Sequence, residues 1–133
     1  YIIKFASIIK ELKRKNRSVI SSYKLSPNEI DILVALHMGK FNMAKDIAEN
    51  FEISKSLVCR SVDSLIKKGY IDTKKDEKDK RITHLILKDE AKPIVEALKE
   101  NREKNNKILL KDIDEKELKI FNKVLDKMKD NIS

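Results

Sequence analysis

The sequence predicts a mainly α-helical chain carrying one small β-hairpin, and three observations carry that prediction. Among 133 residues there are only 2 Gly and 2 Pro, while 39% are charged and 41% apolar, so helix formers abound and turn residues are scarce. Two short amphipathic segments sit on either side of the connection Glu52-Ile53-Ser54. Beyond Gly69 the helical period gives way to a charged stretch and then to Ile82-Thr83-His84-Leu85-Ile86-Leu87, rich in β-branched residues. At this length a single fold per chain is expected.

The elements follow in order. Ile2, Phe5, Ile9, Leu12, Val19, Ile20 and Tyr23 form an apolar stripe at helical spacing, predicting a long first helix over residues 2–23. Ser26-Pro27-Asn28-Glu29 combines a capping serine, proline at the first helical position and glutamate three residues after the cap. The second helix runs from there through Ile30, Leu33, Val34 and Leu36 to Gly39, a residue suited to the left-handed conformation that ends a helix. Asn42 is the expected cap of the third helix, whose Ala44, Ile47, Ala48 and Phe51 mark one buried face. Ser54 is the expected cap of the fourth, which buries Val58, Val62, Leu65 and Ile66 and stops at Gly69. Two short helices joined this tightly suggest a helix-turn-helix.

Strands beginning at Ile71 and Ile82 are expected to enclose an exposed loop, because Asp76-Glu77-Lys78-Asp79-Lys80 has no apolar residue and no glycine for a tight turn. A fifth helix starts near Asp89, its expected cap, with Pro93 tolerated in the first turn. Its stretch Lys99–Lys107 is nearly all polar, predicting a solvated segment supported by i,i+4 charge pairs. Leu118, Phe121, Leu125, Met128 and Ile132, spaced 3, 4, 3, 4, give a sixth helix a heptad-like seam.

Charge is unevenly placed. Residues 54–88 hold 10 basic and 5 acidic side chains and residues 1–53 hold 9 and 6, whereas residues 89–133 balance at 11 and 11. A basic middle and a neutral tail fit a face that neutralises phosphates beside a face that packs protein. On charge alone, an ordinary solvated basic face fits equally well. The single Cys59 excludes an internal disulfide or a multi-cysteine zinc site, and His37 and His84 are too few and scattered to replace one, so no metal or cofactor is expected. Such cysteine usage fits a reducing, cytoplasmic compartment. No apolar stretch reaches bilayer-spanning length and no secretory signal opens the chain, which begins at Tyr1 without Met, as a trimmed piece of a slightly longer protein would. No Gly-rich phosphate loop and no nucleophile paired with a base is present, so an enzyme is not expected.

Between Ile53 and Leu87 the chain strongly resembles the MarR family of bacterial winged-helix regulators, and more weakly over nearly all its length. Leu25-Ser26-Pro27-Asn28-Glu29 with Ile32-Leu33 looks like that family's second-helix entry, and Ala44-Lys45-Asp46-Ile47-Ala48 like its third helix. Ile53 to Ile71 matches the recognition segment almost position for position, and Asp79-Lys80-Arg81 resembles the family's Asp-Arg-Arg wing motif. The resemblance implies a winged helix-turn-helix over 26–88, flanked by dimerisation helices over 1–23 and 89–133.

With Val58, Val62, Leu65 and Ile66 turned inward, helical geometry leaves Lys55, Ser56, Cys59, Arg60 and Asp63 towards solvent. Ser54, Lys55, Ser56, Cys59 and Arg60 are therefore the expected DNA-contacting set of the recognition helix. Cys59 is read as a small contact to DNA, with oxidant sensing as the alternative. In the wing, the resemblance implies that Arg81 enters the minor groove, oriented by a salt bridge to Asp79, with Lys80 beside it. Lys80 stands where the family has Arg, and Thr73 where Arg is frequent; both changes weaken the wing's expected hold on phosphate. Lys88 and Ala91 replace the family's usual Thr and Gly before the fifth helix. His37 is expected on helix 2 without a ligand role.

Ile9, Leu12, Leu118, Phe121, Leu125 and Met128 are the expected dimerisation residues, partly as the resemblance implies and partly because these apolar faces exceed what a small helix-turn-helix needs to cover; intramolecular packing alone is the alternative. The resemblance implies a homodimeric repressor or activator on a pseudo-palindromic duplex, with a small-molecule effector between the dimer helices and the winged part. A winged-helix module that bridges proteins or serves DNA replication is the alternative reading.

Overall fold

The structure is a computed structural model that describes residues 1–133. It contains α1 (Ile2–Ser22), α2 (Pro27–Met38), α3 (Ala44–Asn50), α4 (Lys55–Lys67), β1 (Ile71–Lys75), β2 (Thr83–Leu87), a 3-10 turn (Asp89–Ala91), α5 (Lys92–Leu109) and α6 (Glu115–Ile132). The mainly helical architecture with one antiparallel hairpin is the expected one. The chain forms two compact units, Tyr1–Arg102 and Glu103–Ser133.

The core of the first unit lies where α2, α3, α4 and the hairpin meet. Ile32, Leu33, Ile47 and Leu65 are fully buried there, with Val58, Ile71, Leu85, Ala91 and Ile94 closing around them. Removing each such side chain from water contributes about 1.5–3 kcal/mol, which is why α3, only seven residues long, holds its helix. Ser26 and Glu29 form the anticipated reciprocal cap: the Glu29 N–H donates to Ser26 Oγ at 3.2 Å and the Ser26 N–H to Glu29 Oε1 at 3.1 Å. Gly39 ends α2 at φ +70 with open space where a Cβ would stand, so conformation and not crowding calls for glycine. Gly69, at φ +80, lets its own N–H reach Ile66 O and that of Tyr70 reach Leu65 O, which closes α4. Lys24, Glu52 and Asp112 take the left-handed conformation without being glycine.

Four local expectations are corrected. Asn42 does not cap α3; Met43 holds the cap position and makes no side-chain bond, because Asn42 is turned to His84 instead. Asp89 caps nothing: Lys88 stands at the start of the 3-10 turn, and Asp89 pairs with Lys92 at 3.0 Å. Ile66 is 38% exposed, since the inward stripe of α4 runs through Val58, Ser61, Val62 and Leu65. The polar part of α5 carries no i,i+4 ion pair; it turns Asn101 to Asn16 of α1, 2.7 Å away.

In the second unit, Asp114 and Glu117 form a capping box that starts α6. The α6 seam is legible but lightly covered, with Leu118 and Leu125 half-buried and Phe121, Met128 and Ile132 exposed, beside Ile120 and Val124. No helix is long and apolar enough to cross a membrane.

Candidate nucleic-acid interface

The interface begins with α4. The Leu57 N–H donates to Ser54 Oγ at 3.2 Å, so the expected cap forms, and Ser56 Oγ lies 3.4 Å from the same hydroxyl. Burial of Val58, Ser61, Val62 and Leu65 leaves Ser54, Lys55, Ser56, Cys59, Arg60 and Asp63 all exposed. The first turn therefore offers two hydroxyls, free backbone N–H groups and the cation Lys55, with Arg60 in the second turn and the acid Asp63 beyond it.

What aims this helix was not anticipated. Glu29, 6% exposed at the start of α2, accepts from Lys68 Nζ at 2.9 Å and from Ser64 Oγ at 3.2 Å, and Lys68 Nζ also donates to Lys24 O at 3.1 Å. One carboxylate thus caps α2 and grips the end of α4. Burial pushes that carboxyl up, but Lys68, by hydrogen bond and charge, together with the Ser26 N–H and hydroxyl, outweighs it and holds Glu29 below the usual range. The capping box in the sequence identifies one of these roles; a partner 39 residues away leaves no local signal.

The wing pairs Ile71 with Leu87, Thr73 with Leu85 and Lys75 with Thr83. At its tip Arg81 and Asp79 form a two-pronged ion pair: Nε donates to Oδ1 and Nη2 to Oδ2, both at 3.0 Å, and the Arg81 N–H adds a third bond at 3.1 Å. The hydrogen bond from Arg81 is the first cause of Asp79's lowered pKa. Arg81 itself remains 90% exposed, a guanidinium fixed at its base and open on its outer face. Lys80 beside it is exposed.

The loop is less of a bare solvated run than its composition suggests. Asp76 Oδ2 accepts the N–H groups of Lys78 and Asp79 at 3.0 and 2.9 Å, while Oδ1 faces His84 Nε2 at 2.8 Å. Asp76 and Asp79 are accordingly half-buried. An aspartate whose side chain bonds backbone two and three residues on is a loop-closing signal that Asp76-Glu77-Lys78-Asp79 carries in its sequence. Cys59 is a free, exposed thiol, and no cluster of three or more His, Cys, Asp or Glu is placed to hold a metal ion.

A capped helix with an open, basic first turn, followed by a hairpin that projects a braced arginine, defines a winged helix-turn-helix protein. A model of the MarR family matches residues 23–82. Over 132 residues the chain is 24% identical to the transcriptional regulator YdgJ of Bacillus subtilis, covering 96% of this chain and 80% of that protein. Among solved structures it is similar to the transcriptional regulator PA3341, with a TM-score of 0.87 at 19% identity, covering 99% of this chain and 98% of the other. It is equally similar to a MarR family regulator of Listeria monocytogenes solved with a 26mer DNA, at TM-score 0.86 and 19% identity, covering 99% and 88% of the two chains. Residues 23–82 thus match the MarR family model, and the chain as a whole shares the winged helix-turn-helix fold of the regulators it is similar to.

Proposed function

We propose that this chain works in the cytoplasm as a homodimeric, ligand-responsive repressor that reads a pseudo-palindromic duplex. Residues 26–88 do the reading. Ser54, Lys55, Ser56, Cys59 and Arg60 enter the major groove, while Asp79, Lys80 and Arg81 form the wing contact, with Arg81 in the minor groove. The observation that carries this reading is the pairing of an open recognition turn with a guanidinium that is braced by Asp79 yet nine-tenths exposed. Narrow A·T-rich minor grooves concentrate the negative potential that attracts such a group.

Residues 1–23 and 89–133 supply the dimer interface, through Ile9, Leu12, Leu118, Phe121, Leu125 and Met128. Support comes from the exposure of Ile9 at 40%, Phe121 at 47% and Met128 at 51%, more apolar surface than a lone small regulator keeps wet. A two-fold dimer presents recognition helices about 34 Å apart, one turn of duplex.

Ligand response is supported by a cavity of about 500 Å³ in the first unit, bordered by α1, α2 and α5. Lys13, Arg17, Lys99 and Arg102 bring four cations to it, against the single acid Asp31. A small organic anion fits that balance. By binding one dimer shape better than the other it would change the spacing of the recognition helices and so the affinity for DNA.

Selection of bound sequences from a random duplex pool at near-physiological salt tests the reading. A two-fold symmetric motif with half-sites one turn apart is expected. A folded, concentrated sample that enriches nothing, even after dialysis to remove a bound effector, transfers the function to protein bridging.

A further inference from the structure

His84 lies in β2 opposite Lys74 of β1, and both of its ring nitrogens face oxygen. Nε2 is 2.8 Å from Asp76 Oδ1 and Nδ1 is 3.1 Å from Asn42 Oδ1. The two partners belong to different parts of the protein. Asn42 immediately precedes α3 and its Met43 cap, and its carbonyl accepts the Leu85 N–H at 2.7 Å. Asp76 opens the wing loop, where it holds the N–H groups of Lys78 and Asp79, and Asp79 in turn braces Arg81. A chain of short bonds therefore runs from the helix-turn-helix through the imidazole to the arginine.

We propose that His84 is a positioning residue: its ring ties the wing loop to the segment before α3, sets the direction in which Arg81 meets DNA, and makes that direction respond to pH. The proposal rests on the DNA-reading function argued above. Its sign follows from the donor count. An imidazolium donates from both nitrogens, to Asp76 and to Asn42 at once; a neutral ring has one N–H. Turning the Asn42 amide lets a neutral ring accept from it, but the bond to Asp76 then keeps only the carboxylate's charge and loses that of the ring. Among the groups around the ring, Asp76 and Glu77 of the loop favour the cation, and Lys74 and Lys75 of β1 and Lys78 of the loop oppose it. From the α3 side only the neutral Asn42 faces it. Asp76 is the acid in hydrogen-bond contact with the ring, at 2.8 Å. Its carboxyl, held below the ordinary range first by the His84 bond, ionises well below neutrality. The clamp is thus full when both ring nitrogens carry hydrogen and loosens when one is bare, a difference that a change of pH across neutrality probes.

The test measures affinity of the full chain for fluorescein-labelled A·T-rich and G·C-rich 26-base-pair duplexes by anisotropy, from pH 6 to pH 8 at constant ionic strength. Wild type should bind the A·T-rich duplex about fivefold more tightly at pH 6 than at pH 8, with a smaller change on the G·C-rich one. His84→Phe, which keeps a ring of similar shape, should flatten the A·T profile to within about twofold. Asp76→Asn keeps the histidine while removing the charge that holds it, and should flatten the profile too. If Asp76→Asn keeps the wild-type profile, the ring acts only as an added charge and the positioning role is overturned. A wild-type profile that is flat while DNA is bound overturns it as well. The same wild-type sample without DNA provides a second measurement by NMR, in which the Lys78, Asp79 and Arg81 amide shifts should follow the His84 ring resonances. Coupled shifts with no DNA binding at any pH would leave the clamp standing and remove the DNA reading; uncoupled shifts would remove the clamp.

Discussion

At Arg81 the side chain's work is divided between its two ends. Asp79 fixes the guanidinium by two bonds at 3.0 Å, which removes part of the rotamer entropy that an arginine normally loses on binding. Arg81→Ala should therefore weaken binding to A·T-rich flanks by about tenfold and to G·C-rich flanks far less, a comparison that competition with two duplexes makes directly. An equal loss on both would remove this arginine from minor-groove readout. Lys55, exposed in the first turn of α4, should act through phosphate: Lys55→Ala lowers affinity for every sequence and reduces the slope of log K against log salt by about 1. Both side chains, and the Asp79–Arg81 pair itself, were legible in the sequence, because local spacing and a shared motif specify them. His84 was not. Its partners stand 42 and 8 residues away, and only the folded hairpin brings them to one ring.

Elements announce themselves in the sequence where a side chain bonds its own backbone or where apolar spacing meets a face. The Ser26–Glu29 box, the Ser54 cap and the two glycine helix ends are of this kind, and all appear where expected. Asn42 and Asp89 failed as caps for a common physical reason: each had a competing partner, His84 or Lys92, that a capping preference takes no account of. The tie between α2 and α4 belongs to the same hidden class. Glu29→Gln should keep the bond to the Ser26 N–H while discharging the pair with Lys68. Lys68 is about a third exposed, so solvent screening holds the loss to roughly 1–2 kcal/mol, below that of a fully buried pair. The pKa of Glu29 is depressed in the folded chain, so its contribution is complete above the ordinary glutamate range and is lost as pH falls through the depressed value. Thermal melts of wild type and Glu29→Gln should differ at pH 7 and converge in strong acid; a gap that persists there would mean that packing, and not charge, holds α2 to α4.

Across the whole molecule, charge and apolar surface divide the chain between them. The positive excess lies before residue 89 and the balanced remainder carries α6, whose Ile120, Phe121, Val124 and Met128 are between 39% and 64% exposed. Met128→Asp places a charge on that exposed seam without disturbing the buried core; if the proposed dimer forms through α6, it should shift the protein from dimer to monomer in sedimentation at micromolar concentration, with its fold retained by circular dichroism. An unchanged dimer would remove α6 from the interface. Ile32, Leu33, Ile47 and Leu65, fully buried, lie in the helices whose amides should exchange slowest with deuterated solvent. Leu85, tied by its N–H to Asn42, should be protected at the hairpin's base, while Glu77 and Lys80 at its exposed tip exchange within the dead time. The beginning of α1, where Tyr1, Ile2 and Ile3 are all more than 70% exposed, should exchange as fast. Stiffness is concentrated in the centre and withheld from the regions offered to others, so an exchange map of the solitary chain would already outline where its partners settle.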